Sequence, residues 1–461
     1  MPGAPAPRGA PAADAAAISA VRAAAENRRR LLAALPAGIV LLRGRDDVVR
    51  SHDTHYPFRQ DSDFLFLTAC DLPRACLLVE PRRATLFVEI ADARRRVWQG
   101  DLETPDALRR RLAFDRVLPL ARLDAELRRV ARRRAGRGPA HVRADQLAGW
   151  RKSLRKPGPG DPIPIKTLDA ALRELRARKT SREIELIQAA ARAGDAVFED
   201  IRAAVRPGVM EYELAAHFAY SLARRRLAPS FTATVASGPN SAVLHHTRCD
   251  RRLRAGDLVL FDAGAECRGY ACDITRTWPV GGRFTRRQAA VYDAVLDAQR
   301  AAMASLRPGA TLADANRAAR EPLARALARL GLLRAQPEAA VADGLLDLFM
   351  PHGVSHDLGL DVHDRSPAPP GAKPDDRGRV QTFPLEAGRV LTVEPGCYFM
   401  PALLRDPANR KKWRKALDFG RLDDWLDFGG VRIEDDVRLD ASGARLLTHA
   451  PRERAEIERG G

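Results

Sequence analysis

Four carboxylates and one imidazole, spread over distant stretches of the chain, have the types and settings that could do chemistry. Asp262 ends the apolar run 258–261, and Asp273 follows eleven residues later in "ACDITRT". Glu394 ends the apolar run in "RVLTVEPGCY", and Glu434 lies in "GGVRIEDDVRL". His356 lies in "FMPHGVSHDLGLDVHD", with His352 and His363 on either side. A carboxylate at the end of a buried strand is costly unless it is paired or holds a metal. Singly, each group has a plain structural reading. Asp262 reads as a cap or turn residue, Glu394 as a strand-end acid, and Arg432 beside Glu434 as a surface ion pair. His352 and His356 have i, i+4 spacing, but Gly353 and Gly359 argue against the regular helix of a His-x-x-x-His zinc site. Together, four acids and one imidazole suit hard or borderline divalent ions such as manganese, cobalt or zinc. One ion does not need four acids. Two ions about 3.5–4 Å apart do, because bridging carboxylates must hold two charges together.

The elements that position these groups follow from local pattern. The unbroken apolar run before Asp262 reads as a buried strand. Strand alternation puts Arg432 and Glu434 on one face and Val431 and Ile433 on the other. Thr180 and Glu183 stand at capping-box spacing. Ile184, Ile187, Ala191, Phe198 and Ile201 then recur at helical spacing, which predicts a long helix. Gly194 falls on the same stripe, where it weakens the helix or lets a neighbour approach. Upstream, "GIVLL", "FLFLTA", "ACLLVE" and "ATLFVE" are short apolar runs between turn signals, the pattern of a small sheet. A helical pattern covers about 104–135, and "RKPGPGDPIPIK" at 155–166 reads as a connector.

The chain has 461 residues, so two domains are expected. The Pro/Ala-rich start lacks the apolar core of a secretory signal and reads as a flexible leader over 1–24. No stretch reaches the run of about 20 apolar residues that a membrane helix needs. Both points predict a cytoplasmic protein without a membrane anchor. The net charge of +18 raises nucleic acid as a partner. Of the 77 basic residues, 69 are arginine, scattered through Ala/Arg-rich helical stretches such as "ELRRVARRRAGRG". No basic stretch interleaves aromatics as a single-strand binder does, so solvated helix faces are the better reading. The six cysteines form no Cys-x-x-Cys pair and read as free thiols.

The blocks "LVLFDAGAE…GYACDITRTWPV", "PHGVSHDLGLDVHD", "LTVEPGCY" and "GVRIEDD" resemble, in order, those of the pita-bread metallopeptidases of the aminopeptidase P and prolidase branch. The similarity extends to "SGPNSAVLHHT" and "YPFRQDSDFLFLT" and covers the chain from about residue 25. The resemblance implies an α/β (α+β) fold: a smaller N-terminal α/β domain over 25–170 and a C-terminal pita-bread (creatinase-like) catalytic domain over 171–461. It implies two divalent ions, manganese first, with cobalt or zinc as alternatives. Asp262 would bind one ion, Asp273 and Glu434 would bridge, and His356 and Glu394 would complete the second. A bridging hydroxide would attack the peptide carbonyl, with Glu394 as proton shuttle. His245 and His363 would orient the peptide and stabilise the oxyanion. His352 and Tyr398 would line the substrate pocket, and Arg432 would fix a bridging carboxylate from behind. His246 matches no motif position.

The expected activity is removal of an N-terminal residue that precedes proline, in a homo-oligomer (dimer or tetramer). Xaa-Pro dipeptidase is the alternative, and a non-catalytic binding module of the same fold is a third reading. Phe231 stands where the family often has tyrosine. The long basic insert at 402–428, helical in pattern, is more prolidase-like. Against that, prolidases use an arginine before the "TVEPG" strand to clamp a dipeptide carboxylate, and here only Arg377 and Arg379 are near, neither falling cleanly on the motif.

Overall fold

The computed structural model describes residues 10–134, 138–154, 163–366 and 384–459. Two compact units divide it, one of residues 1–176 with 180–183, the other of 177–179 with 184–461. The stretch holding Arg377 and Arg379 lies outside the described residues, as does most of the connector at 155–166. No described helix is long and apolar enough to cross a membrane.

The first unit is built on a sheet of six described strands, β1 (Ile39–Arg43), β2 (Cys76–Glu80), β3 (Arg83–Val88), β4 (Arg116–Pro119), β5 (Ala140–Val142) and β6 (Ile165–Thr167), in the order β4-β3-β2-β1-β5-β6. Leu41, Leu78, Phe87, Leu127, Val130 and Trp150 form one buried cluster against it. Three sequence expectations change here. Residues from Ala10 onward are not a flexible leader but part of helix α1 (Ala10–Ala34). Alanine is the best helix former, and Ala20, Ala23 and Ala24 are buried. The run "FLFLTA" is helix α2 (Ser62–Thr68), not a strand. Asp61 accepts from Phe64 N–H at 3.0 Å as its N-cap, and Phe64, Phe66 and Leu67 are all buried, so a short run apolar on every face gave no period to read. The helical stretch at 104–135 is interrupted by β4.

Helix α3 (Ser181–Arg202) starts at a capping box, and its body from Ile184 belongs to the second unit. Thr180 N–H donates to Glu183 Oε2 at 2.9 Å, and Glu183 N–H donates to Thr180 Oγ1 at 3.3 Å. A Cβ at Gly194 would stand 2.7 Å from Cys272 Sγ, so glycine there admits the loop that carries Asp273. Helix α4 (Glu211–Arg224) follows. Strands β7 (Thr234–Ser237), β8 (Leu258–Ala263) and β9 (Ile274–Pro279) pair antiparallel in that order. Strands β10 (Val390–Val393), β11 (Gly396–Tyr398), β12 (Gly430–Arg432), β13 (Asp435–Asp440) and β14 (Gly443–Leu446) make the sheets β10-β13-β14 and β11-β12. The insert at 402–428 is helical, with short helices at Pro401–Leu404, Pro407–Trp413 and Phe419–Asp423. It folds back on β11 through Trp425, stacked 4.6 Å from Phe399.

Candidate active site

Sheet register brings the distant acids together. Asp262 on β8 is opposite Thr275 on β9. Thr275 in turn bridges to Glu434, whose N–H donates to Thr275 O at 3.0 Å. Gly396 pairs with Arg432, which fixes the β11–β12 side of the site. Glu394 follows β10, and its N–H donates to Val354 O at 2.8 Å. The loop bearing His356 is tied to the same strand: Thr392 N–H donates to His356 O at 2.9 Å. Next to His356, Asp357 is fully buried and accepts from Arg389 Nε at 2.9 Å.

One cavity of about 690 Å³ collects these residues. Asp262, Asp273, His245, His352, His356, His363, Glu394, Arg432 and Glu434 all line it, with Phe231 at the place noted above. Ligand atoms of Asp273, His356 and Glu434 lie within 4.8 Å of one another. His356 Nε2 is 3.5 Å from Glu394 Oε1 and 3.7 Å from Asp273 Oδ2. The His356 and His363 rings are 4.1 Å apart.

Two placements differ from expectation. Tyr398 does not line the cavity. It is fully buried, with its hydroxyl 2.9 Å from His352 Nε2 and 2.9 Å from Arg432 Nη1. The ring fills the space left by Gly430, where a Cβ would stand 2.3 Å from Tyr398 Cδ1. Arg432 does not donate directly to either acid expected to bridge; its Nη2 donates to Asp262 Oδ2 at 2.5 Å. It reaches Glu434 only through Thr275, whose Oγ1 accepts from Arg432 Nε at 3.2 Å and donates to Glu434 Oε2 at 2.8 Å. Thr275 was missed by reading the sequence. Its signal was there in "DITRT", two residues after Asp273 on an alternating strand.

Burial sets the protonation of the cluster. It pushes the Asp273 carboxyl well above the usual carboxylate range, helped by Glu434 and Asp262 close by. Burial does the same to Glu434, with Glu394 and Asp262 adding to it, and it raises Glu394 to about 8. Burial pushes His356 down to about 3, with the His363 ring beside it, and His352 to about 4, with Arg432 contributing. Crowded acids raised in this way, next to imidazoles pushed down, suit a site for cations. Two buried oxygens, Asp262 Oδ1 and Asp273 Oδ1, have no hydrogen-bond donor. Such orphaned acceptors fit a metal ligand set. The residues therefore suit divalent cations in number, type and burial.

A cavity lined by four carboxylates and several imidazoles is suited to hold divalent cations, and comparison with known proteins gives the class, a metal-dependent peptidase hydrolase. The family model for metallopeptidase family M24 matches residues 185–441, and that for the aminopeptidase P N-terminal domain matches residues 24–137. The chain belongs to metallopeptidase family M24. It is 34% identical to human Xaa-Pro dipeptidase over 449 residues, 94% of this chain and 90% of that one. It is 31% identical to Escherichia coli (strain K12) Xaa-Pro aminopeptidase over 429 residues, 90% and 91% of the two chains. The solved structure of Pseudomonas aeruginosa aminopeptidase PepP superposes with a TM-score of 0.82 at 30% identity, covering 95% of this chain and 97% of the other.

Proposed function

We propose that this chain is an Xaa-Pro aminopeptidase that uses two divalent ions, manganese first among them, held by Asp262, Asp273, His356, Glu394 and Glu434. The observation that carries the reading is the convergence of three buried carboxylates, the half-buried Glu394 and the His356 imidazole on a cavity that also presents His245 and His363. Ions bound there would supply a water of lowered pKa and a Lewis acid for the scissile carbonyl. The chain's own residues do the rest. Glu394, which lines the cavity beside His356, takes a proton from the attacking water and gives it to the departing proline nitrogen. His245 and His363 present ring nitrogens to the carbonyl oxygen as it gains charge. Arg432 and Thr275 hold Asp262 and Glu434 in place, and Tyr398 braces Arg432 and His352 from behind.

Proline specificity rests on the imide bond. Proline brings no N–H and fixes φ near −65°. An Xaa-Ala bond would carry an extra donor into a dry site, at a cost of about 1–3 kcal/mol if it finds no acceptor. The Xaa-Pro dipeptidase reading stays alongside. The helical insert, packed on β11 through Trp425, and the 34% identity to the human dipeptidase favour it.

Hydrolysis of Ala-Pro, Gly-Pro, Ala-Pro-Ala and a longer Xaa-Pro peptide by manganese-loaded protein decides between them. Cleavage of the tripeptide and longer peptide is expected. Rapid cleavage of the dipeptides alone would make the dipeptidase reading the right one. No cleavage of any Xaa-Pro bond would overturn both.

A further inference from the structure

His245 and His246 are neighbours in sequence and opposites in setting. His245 is exposed in the cavity, and His246 is buried with its Nε2 3.2 Å from Glu211 Oε2. Glu211 itself is fully buried at the start of α4. Its carboxylate accepts from Ser237 N–H at 2.6 Å, Ser237 Oγ at 2.8 Å, Asn240 Nδ2 at 3.1 Å and Arg251 N–H at 3.1 Å, as well as facing His246. All of these donors belong to one segment, 237–251, which leaves β7, presents His245 and leads back to β8. Main-chain contacts repeat the link: Glu211 N–H donates to Arg251 O and Tyr212 N–H to Cys249 O, both at 3.0 Å.

We infer that Glu211, acting through His246, is the positioning residue that sets His245 at the scissile carbonyl. Glu211, His246 and Asp250 also group as a possible cation site. Ser237, Asn240, His246 and Arg251 already occupy both oxygens of the Glu211 carboxylate, so its role is to hold the segment. Hydrogen bonds from Ser237, Asn240 and Arg251, with the His246 ring at 3.2 Å, converge on this one buried carboxylate and tie the segment at four residues. A side chain displaced by about 1 Å from its working position can cost about 100-fold in rate. His246 then has a part in the reaction without touching substrate: its ring, turned into the protein, directs the preceding ring outward.

The inference rests on the reading of His245 as a substrate-facing group, and the test separates the two. Turnover of a manganese-loaded Xaa-Pro peptide assay is measured for wild type, His245→Ala, Glu211→Gln, His246→Leu, His246→Gln and the double variants with His245→Ala, with metal content checked for each. Glu211→Gln and His246→Leu are expected to lower kcat by about 10- to 100-fold with metal content unchanged. His246→Gln, which keeps a donor toward Glu211, is expected to recover most of that loss. In the His245→Ala background, Glu211→Gln and His246→Leu should cost under about twofold, since residues acting as a unit are not additive. Hydrogen exchange supplies a readout independent of activity: Glu211→Gln should speed exchange over 237–251 and leave β8 and β9 unchanged. Equal losses in both backgrounds, or unchanged exchange over 237–251, would overturn the inference alone. Wild-type turnover in His245→Ala would overturn the reading of His245, and this inference with it.

Discussion

Thr275 and Glu434 are 159 residues apart in the chain, yet the Thr275 hydroxyl donates to Glu434 Oε2 at 2.8 Å. Thr275 Oγ1 also accepts from Arg432 Nε at 3.2 Å. One hydroxyl thus joins the acid on the β12–β13 side of the site to the arginine that holds Asp262.

Thr275→Val keeps the shape and removes this link. Losing a group that orients a metal ligand typically costs about 10–100-fold in affinity. We expect a loss of that size in manganese binding, measured by equilibrium dialysis, and near-normal binding in Thr275→Ser. Equal affinity in the valine variant would show that the main-chain bond from Glu434 N–H to Thr275 O holds the acid without the hydroxyl.

Metal stoichiometry tests the ligand set. Four acids lining one cavity predict about two divalent ions per chain. Elemental analysis after dialysis against trace manganese checks the count. Glu434→Ala should lose at least one equivalent, because this side chain is buried and grouped with Asp273 and His356. A wild-type content of zero would favour a binding module of the same fold.

His245→Ala and His363→Ala should keep their metals and lose turnover by about 10²–10³-fold, the usual effect of removing a group that stabilises developing charge. Loss of metal in either would mean that the ring is a ligand rather than a partner of substrate.

Stability without metal should depend on pH in a defined direction. Glu394 is raised from 4.5 to about 8 in the folded chain, and Asp273 and Glu434 are raised as well. Between the two values the folded state binds more protons than the unfolded one. Stability from Glu394 is therefore full at low pH and is lost as pH rises through about 8, and the raised Asp273 and Glu434 act in the same sense. The depressed His352 and His356 act in the opposite sense, but only below their ordinary value of 6.5. We expect the melting temperature of metal-free protein to fall between about pH 6.5 and 8.5, and added manganese to remove that slope. Proton release on metal addition near pH 7, followed in weak buffer, gives a second check. A flat metal-free profile would mean that the carboxyls are ionised without ions to hold them.

Local pattern was enough for much of this protein. The apolar run before Asp262 forms the buried strand it suggests, and the Thr180–Glu183 box caps its helix. Gly194 sits where a neighbour must pass close. Each depends on residues a few positions apart, where the strand and helix periods act. The run "FLFLTA" was not legible in that way, because a short segment apolar on all faces has no period, and the surrounding core chose a helix for it. The order of the acids along the chain suggested metal chemistry, but their meeting required the register of Asp262 with Thr275 and of Thr275 with Glu434. His245 enters the cavity, and His246 faces a buried carboxylate 35 residues before it, a partner that no local pattern named. Side-chain types and local periods are properties of the chain itself. Register, and the side to which a loop residue turns, arise from pairings between segments 30 to 170 residues apart, and only the folded packing that buries those pairs decides them.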